Sequence, residues 1–326
     1  MGMTPEAGPQ SRAERGSQIR VSRLRVRLSK RMREDLRGYL FVAPWILSLL
    51  VFTAYPMVAS FFFSMTDYNI LNPPRWIGLG NFTTMFTRDP LYWKSVVNTL
   101  YYTALAVPLG IATGLVMAML LNQQLAGIGF YRTAFYLPGL MPAVASTLLW
   151  MVLLDPRNGL VNSALGLVGI SGPGWLRSVA WSKPALILMA LWGSSGGSML
   201  IFLAALKEIP QSLLEAAMID GANPWQRFRH VTIPLITPSI FFNLIMSVIG
   251  SFQVFASAFI AGTGGAGPLN SILMYMLHLY RQAFRYFTMG YASAMALVMF
   301  LVLVGITLLL IRSSSAWVYY EGAERR

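Results

Sequence analysis

Few residues in this 326-residue chain are of a type that does covalent chemistry. Glu215 and Asp220 come nearest to a catalytic carboxylate pair, in which one acid donates a proton while the other accepts one. They stand five residues apart in an exposed loop and project on different sides, so they do not converge on one bond. Gly193-Ser194 has the form of a serine nucleophile, which needs a base within hydrogen-bond reach. The only histidines, His230 and His278, both fall outside the apolar run that holds Ser194. With no cysteine, thiolate metal sites and disulfides are excluded, and two histidines do not make a metal cluster. There is no GxxxxGK[ST] phosphate loop, so ATP hydrolysis by that route needs another polypeptide. The pattern excludes an enzyme in favour of a chain that binds or conducts.

Two polar clusters interrupt otherwise apolar runs. Ser194, Ser195 and Ser198 follow Trp192 in Gly193-Ser-Ser-Gly-Gly-Ser198, and Ser251, Phe252 and Gln253 precede Phe255. Small and polar residues in a membrane helix often serve only close packing, with serine bonded back to its own helix. Two such clusters at one depth in adjacent spans instead favour a solute site near the midplane. Gln253 carries most weight, since a buried amide needs several partners. Trp192, Phe252 and Phe255 could stack on a sugar ring or simply fill the core.

The elements that must position these residues follow from charge spacing. Hydrophobic residues make up 56% of the chain and charged residues 11%, where a soluble protein carries roughly 25% charged. Charge-free windows run from Arg37 to Asp67, Lys94 to Arg132, Arg132 to Asp155, Lys183 to Lys207, Arg229 to Arg281 and Arg285 to Arg312. Each holds the ~20 apolar residues that an α-helix needs to cross ~30 Å of hydrocarbon. The reading is an all-α polytopic membrane protein of about six spans, near 38–63, 96–121, 133–154, 184–206, 237–261 and 290–311. A seventh window, Arg157 to Arg177, is too rich in Gly, Asn and Pro to be a span. The outer segment after Thr263-Gly-Gly-Ala-Gly267 reads as an amphipathic surface helix, interrupted by Arg281 and Arg285.

Residues 1–37 form a basic tail with ten Lys/Arg against four acids. It reads as a positive-inside anchor on anionic lipid rather than a nucleic-acid arm, because no nucleic-acid-binding domain follows. With it inside, 17 Lys/Arg lie inside and eight outside. Both termini are therefore expected in the cytoplasm, with 313–326 as a C-terminal tail after a 38–312 permease domain.

The inner loop 206–236 is the most informative segment. Pro210 opens a helix, Gly221 stands where a helix end needs a left-handed residue, and Asn223-Pro224 reads as a cap followed by proline at a first helical position. Pro234 is expected to end that second helix. Leu213, Leu214, Ala217 and Met218 recur at helical spacing, beside small Ala216 and Ala222. Such a stripe packs either on its own bundle or in the groove of a partner protein.

Glu215-Ala-Ala-Met-Ile-Asp-Gly-Ala222, with Phe228, Val231, Ile233 and Pro234, resembles the EAA loop of ABC importer permeases of the maltose and glycerol-3-phosphate type. The likeness extends over about 38–321 through Gly196–Leu203, Phe252-Gln253, Met289–Ala292 and Trp317–Glu321, and through Gly80-Asn-Phe82, Asp89-Pro90 and Asn98-Thr99. It implies the type I ABC importer permease fold in a bacterial inner membrane. It also implies that Leu213, Leu214, Glu215, Ala216, Ala217, Met218, Asp220, Gly221 and Ala222 dock an ATPase. The implied partners are two ATP-binding subunits, which hold the ATP and Mg, a second homologous permease, and an extracytoplasmic solute-binding protein. This chain itself would carry no cofactor. With no ionised residue inside the expected spans, the solute expected is a neutral sugar. An ion-driven carrier or passive channel is the competing class, although a carrier usually keeps an acid or histidine within the membrane.

Overall fold

The computed structural model describes residues 30–123 and 126–319, so the basic tail before residue 30 and the end of the C-terminal tail lie outside the described residues. Among these the chain is helical, apart from a two-residue antiparallel ladder pairing Thr66 with Trp76 and Asp67 with Arg75. It divides into two compact units, the first ending at Pro56 and the second beginning at Met57.

Among the described residues five helices are long and apolar enough to cross a membrane: α1 (Gly38–Ser64), α2 (Pro90–Leu121), α5 (Ser182–Glu208), α7 (Pro224–Phe252) and α10 (Met289–Trp317). A bent pair, α3 (Ile128–Leu140) and α4 (Ala143–Leu153), brings the number to six. Between α5 and α7 lies the short α6 (Gln211–Ile219), and after α7 come α8 (Ala256–Ala261) and α9 (Tyr275–Tyr280).

Four local expectations change. The span expected at 133–154 is not one helix, because α3 and α4 meet at 100°. Met141 is extended at φ −72°, ψ 135°, as a residue before proline prefers, and Pro142 opens α4. The span expected at 237–261 ends at Phe252, and Phe255 departs to φ −132°, ψ −62° before α8. There the Phe255 ring packs on Phe259 and Tyr280, with centroids 5.5 and 4.8 Å away. Pro234 does not end the loop's second helix, which is the start of α7 and runs on through Pro238. A π turn at Phe228–Thr232 widens the backbone just before Pro234, where a tighter turn would set the ring against the His230 carbonyl.

The fourth change concerns the segment after the Gly-rich turn. It is no surface helix: Ile272, Leu273, Met274, Leu277 and His278 are buried, the four apolar ones packed with Tyr102 of α2 and with Leu186 and Ile187 of α5. Irregular backbone is tolerated in such a place only if its polar groups find partners. Here α2 supplies them. Asn98 Nδ2 donates to the carbonyls of Asn270 and Leu273, both at 3.1 Å, and Thr99 Oγ1 accepts from Tyr275 N at 2.9 Å.

Candidate functional site

The inner loop builds a helix, a tight turn and a second helix from local chemistry alone. Asp220 ends α6, and Gly221 follows at φ +81°. Ala222 N donates to Ala217 O at 2.9 Å and Gly221 N to Met218 O at 3.1 Å. That is the paired bonding that closes a helix over a left-handed residue. Asn223 then caps α7: its Oδ1 accepts from Gln226 N at 2.9 Å, while Gln226 Oε1 accepts from Asn223 N at 2.8 Å. Two helix ends are thereby satisfied within four residues, which gives the turn a defined shape.

The surface of α6 is unsatisfied. Leu213 and Met218 are 45% and 49% exposed, and Ile219 is 87% exposed. Glu215, Ala216, Asp220 and Gly221 are exposed as well, whereas Leu214, Ala217 and Ala222 are half-buried. Packing on the chain's own bundle therefore does not account for the stripe. A cavity of about 350 Å³ opens beside the turn, lined by Ala217, Asp220, Gly221, Ala222, Gln226, Arg227, His230 and Val231.

The residues expected along a solute path are only partly brought together. Trp192 and Ser195 line a cavity of about 460 Å³ with Thr113, Met117, Phe135, Pro138 and Trp150, enclosed by α2, α3, α4 and α5. The Trp150 and Trp192 rings stand edge to face with centroids 5.8 Å apart, and the buried Trp150 Nε1 has no hydrogen-bond partner. No residue of 251–255 lines this cavity. Ser251 instead donates to Thr103 Oγ1 at 2.9 Å or Val248 O at 2.8 Å, Phe252 is buried among Met85, Tyr92 and Met295, and Gln253 is exposed. Phe255 belongs to the aromatic stack described above.

Most of the Gly193–Ser198 cluster is a packing seam. Ser198 faces Gly114 of α2, where an added Cβ would stand 2.7 Å from Ser198 Cβ. Ser194 lies over Gly110 on the same helix. On the other side, a Cβ at Gly196 would meet Phe135 O at 2.7 Å and the Tyr136 Cα at 2.9 Å, while one at Gly197 meets nothing within 4 Å. Both close contacts of Gly196 are backbone atoms, which cannot rotate away. Gly196→Val is expected to separate α5 from α3 and cost upwards of about 1–3 kcal/mol. Thermal unfolding of the detergent-purified protein would show it, with Gly197→Val as the silent control. Equal melting temperatures would refute the seam.

One polar centre went unforeseen. Asp89 caps α2, its Oδ1 accepting from Leu91 N at 2.9 Å and Tyr92 N at 3.2 Å. Its Oδ2 accepts from His278 Nε2 at 2.8 Å and from the Tyr291 hydroxyl at 2.7 Å. One carboxylate thus joins the start of α2 to α9 and α10. Burial pulls the Asp89 carboxyl up, but the hydrogen bonds from Tyr291 and His278 outweigh it and hold the group below the usual carboxylate range. Burial of His278 pulls the imidazole below its ordinary value against the upward pull of Asp89, so the ring donates as a neutral imidazole. The sequence signal was present in Asp89-Pro90, a cap followed by proline at the first helical position. Its two long-range partners carried none.

A family model described as "Binding-protein-dependent transport system inner membrane component" matches residues 92–318. A relative named "Probable ABC transporter permease protein YesP", from Bacillus subtilis (strain 168), is 46% identical over 91% of this chain and 96% of its own length. The "Lactose transport system permease protein LacF" of Rhizobium radiobacter is 35% identical over 82% of this chain and 90% of its own. A chain of a bacterial alginate ABC transporter, crystallised with its alginate pentasaccharide-bound periplasmic protein, superposes with a TM-score of 0.77. It is 25% identical, covering 88% of this chain and 97% of that one.

Proposed function

The chain belongs to the family of binding-protein-dependent transport system inner membrane components, as a multi-pass permease subunit of an ABC importer rather than an enzyme, and on that premise we propose that it conducts a sugar. The naming of the LacF relative for lactose, and of the structural neighbour for alginate, supports a saccharide.

The observation that carries the coupling mechanism is the exposed apolar face of α6 beside the Gly221 turn. In this reading Leu213, Met218 and Ile219 enter a groove of a separate ATP-binding subunit, with Glu215 and Asp220 at its rim. ATP and Mg are held by that subunit. One such loop per chain, with two ATPases to dock, requires a second permease, and we take it to be a homologous, non-identical one. The loop and both termini lie on the cytoplasmic side. A solute-binding protein delivers the sugar to the opposite face, where α2, α5 and α10 begin. Closure of the ATPases on ATP draws the coupling helices together and opens the bundle outward.

Within the membrane the reading gives the path to the cavity of Trp192, Ser195 and Trp150. Two tryptophan rings, Trp150 and Trp192, line that cavity and offer stacking faces. Ser194 and Ser198 pack α5 against α2, Ser251, Phe252 and Phe255 lie outside this cavity, and Gln253 sits at the break between α7 and α8.

Affinity purification of the tagged chain from its native membrane tests the assembly. An ATPase and a second permease are expected to co-purify in fixed ratio, and ATP is expected to be required for uptake. Isolation as a lone, ATP-independent transporter would overturn the reading.

A further inference from the structure

The loop-side base of α7 carries two prolines four residues apart, Pro234 and Pro238. In an α-helix each carbonyl accepts from the N–H four residues on, and Pro238 has none to give to Pro234. A π turn at Phe228–Thr232 precedes this gap, so the helix is weakened at two successive places. Both lie between the Gly221 turn and the rest of α7. A helix that bends there would absorb movement of the turn instead of passing it on.

The gap is closed at Thr237, whose Oγ1 donates to the Pro234 carbonyl at 2.6 Å. Helical threonines commonly bond back in this way, and that bond alone would say nothing more. The same oxygen also accepts from Tyr319 N at 2.9 Å, across 82 residues of chain. A hydroxyl has one proton to give and lone pairs that receive, and both capacities are used here. Tyr319 follows the end of α10, where Val318 N closes on Ser314 O at 2.8 Å and the backbone turns to φ −86°, ψ 126°. The next N–H has left the α10 ladder, and its acceptor is on α7.

A second contact lies one turn further along α7. The Phe241 ring packs edge to face on Trp317 of α10, with centroids 5.8 Å apart. Thr237 is buried, and so is Ile236 beside it, packed with Phe202 and Leu203 of α5 and Leu121 of α2. The base of α7 is thus held by the bundle and by the end of α10. Fixed partners on consecutive turns are what a splint across a proline gap requires.

Resting on the reading of the Gly221 turn as the coupling element, we propose that Thr237 is a positioning residue for coupled transport. Its hydroxyl ties the proline gap of α7 to the end of α10, and Trp317 on Phe241 is the second point of attachment. Movement of the turn then enters the bundle through two spans together, α7 and α10.

The test is hydrogen exchange in the whole transporter, purified with its ATPases, with and without the non-hydrolysable ATP analogue AMP-PNP and Mg. In the parent, the nucleotide is expected to change exchange both in 224–241 and at the end of α10, 310–319. Thr237→Val keeps the side chain's shape and removes the hydroxyl. In it the response of 310–319 is expected to shrink about three- to tenfold, the factor that one hydrogen bond is worth. The response of 224–241 should persist, and Thr237→Ser should restore both. A merely structural role would raise exchange with and without nucleotide alike and leave the response intact. A parent response confined to 224–241 overturns the proposal, as does a full response at 310–319 in Thr237→Val or an equal loss in Thr237→Ser. Should Thr237→Val fail to assemble, Trp317→Leu is compared with Trp317→Phe, which keeps a ring against Phe241. A loss confined to the Leu variant supports the splint, and equal responses overturn it. A parent in which neither segment responds overturns the coupling reading itself, and this inference with it.

Discussion

Gly221→Asp is expected to abolish solute uptake while leaving the permease inserted in the membrane at its normal level. Gly221 sits at φ +81°, and a Cβ built there meets nothing within 4 Å. The cost to this chain is therefore only the left-handed strain, about 1–2 kcal/mol for a side chain and less for Asp, which tolerates that region. The new carboxylate projects from the open turn into the space the partner must fill. It also stands next to the exposed Asp220, so the rim gains a further negative charge. A desolvated, unpaired charge in an interface costs several kcal/mol, enough to reduce coupled transport by roughly a hundredfold or more. Two measurements on reconstituted vesicles check it: solute uptake, and stimulation of ATP hydrolysis by the solute-loaded binding protein. Both should fall together. Parent-like uptake by this variant would refute docking at the turn.

The second large effect lies at the other end of the bundle and concerns stability. Asp89→Ala removes four acceptor contacts at once. Two N–H groups at the start of α2 lose their cap, worth about 0.5–2 kcal/mol. His278, nearly inaccessible to solvent, and Tyr291 are left as donors without an acceptor. Each buried donor left without an acceptor costs about 1–3 kcal/mol, and the melting temperature of the purified protein should fall accordingly. Asp89→Asn keeps an oxygen for the cap and should lie between the two. A melting temperature unchanged in Asp89→Ala would show that the junction carries no load.

The same junction makes stability depend on pH, and its two groups act in one direction. The folded-state pKa of His278 lies below 6.5, so the unfolded chain binds more protons there, and stability declines as pH falls through about 6.5. Asp89 is held below 3.8, so its contribution is present above that value and is lost as pH falls through the folded pKa. Acid should therefore weaken the protein in two stages, the histidine first. His278→Gln should remove the first stage and leave the second.

The inner loop shows how completely local chemistry can be read. Gly221 as the left-handed closing residue, Asn223 as a cap and Pro224 at the first helical position are all present as their residue types require. Such bonds span two to five residues, so the information needed to form them lies within one glance along the chain. The same holds for the long apolar windows, whose lengths follow from the thickness of hydrocarbon alone.

Breaks and polar clusters were less legible. Gly193–Ser198 could serve a solute or a seam, and only the arrival of Gly110 and Gly114 from α2 and of Phe135 and Tyr136 from α3 made it mostly a seam. Gln253 looked like the buried amide of a site and is exposed, because α7 stops beside it and Phe255 turns toward Tyr280. The segment at 269–285 has the amphipathic pattern of a surface helix. Asn98 and Thr99, more than 170 residues away, satisfy its backbone and so allow it to be buried.

The sequence by itself therefore determined that the chain crosses a membrane in about six passes, and that its inner loop forms a capped helix–turn–helix with an apolar stripe. Both follow from composition and from contacts within a few residues. Which polar groups meet was decided only by the tertiary structure. Asp89 with His278 and Tyr291, Lys94 with Leu269, and Lys183 with Asn98 are meetings across 85 to 202 residues of chain. No periodicity encodes such distances. They are set when buried backbone and charge, which lipid will not solvate, must find their partners inside the protein.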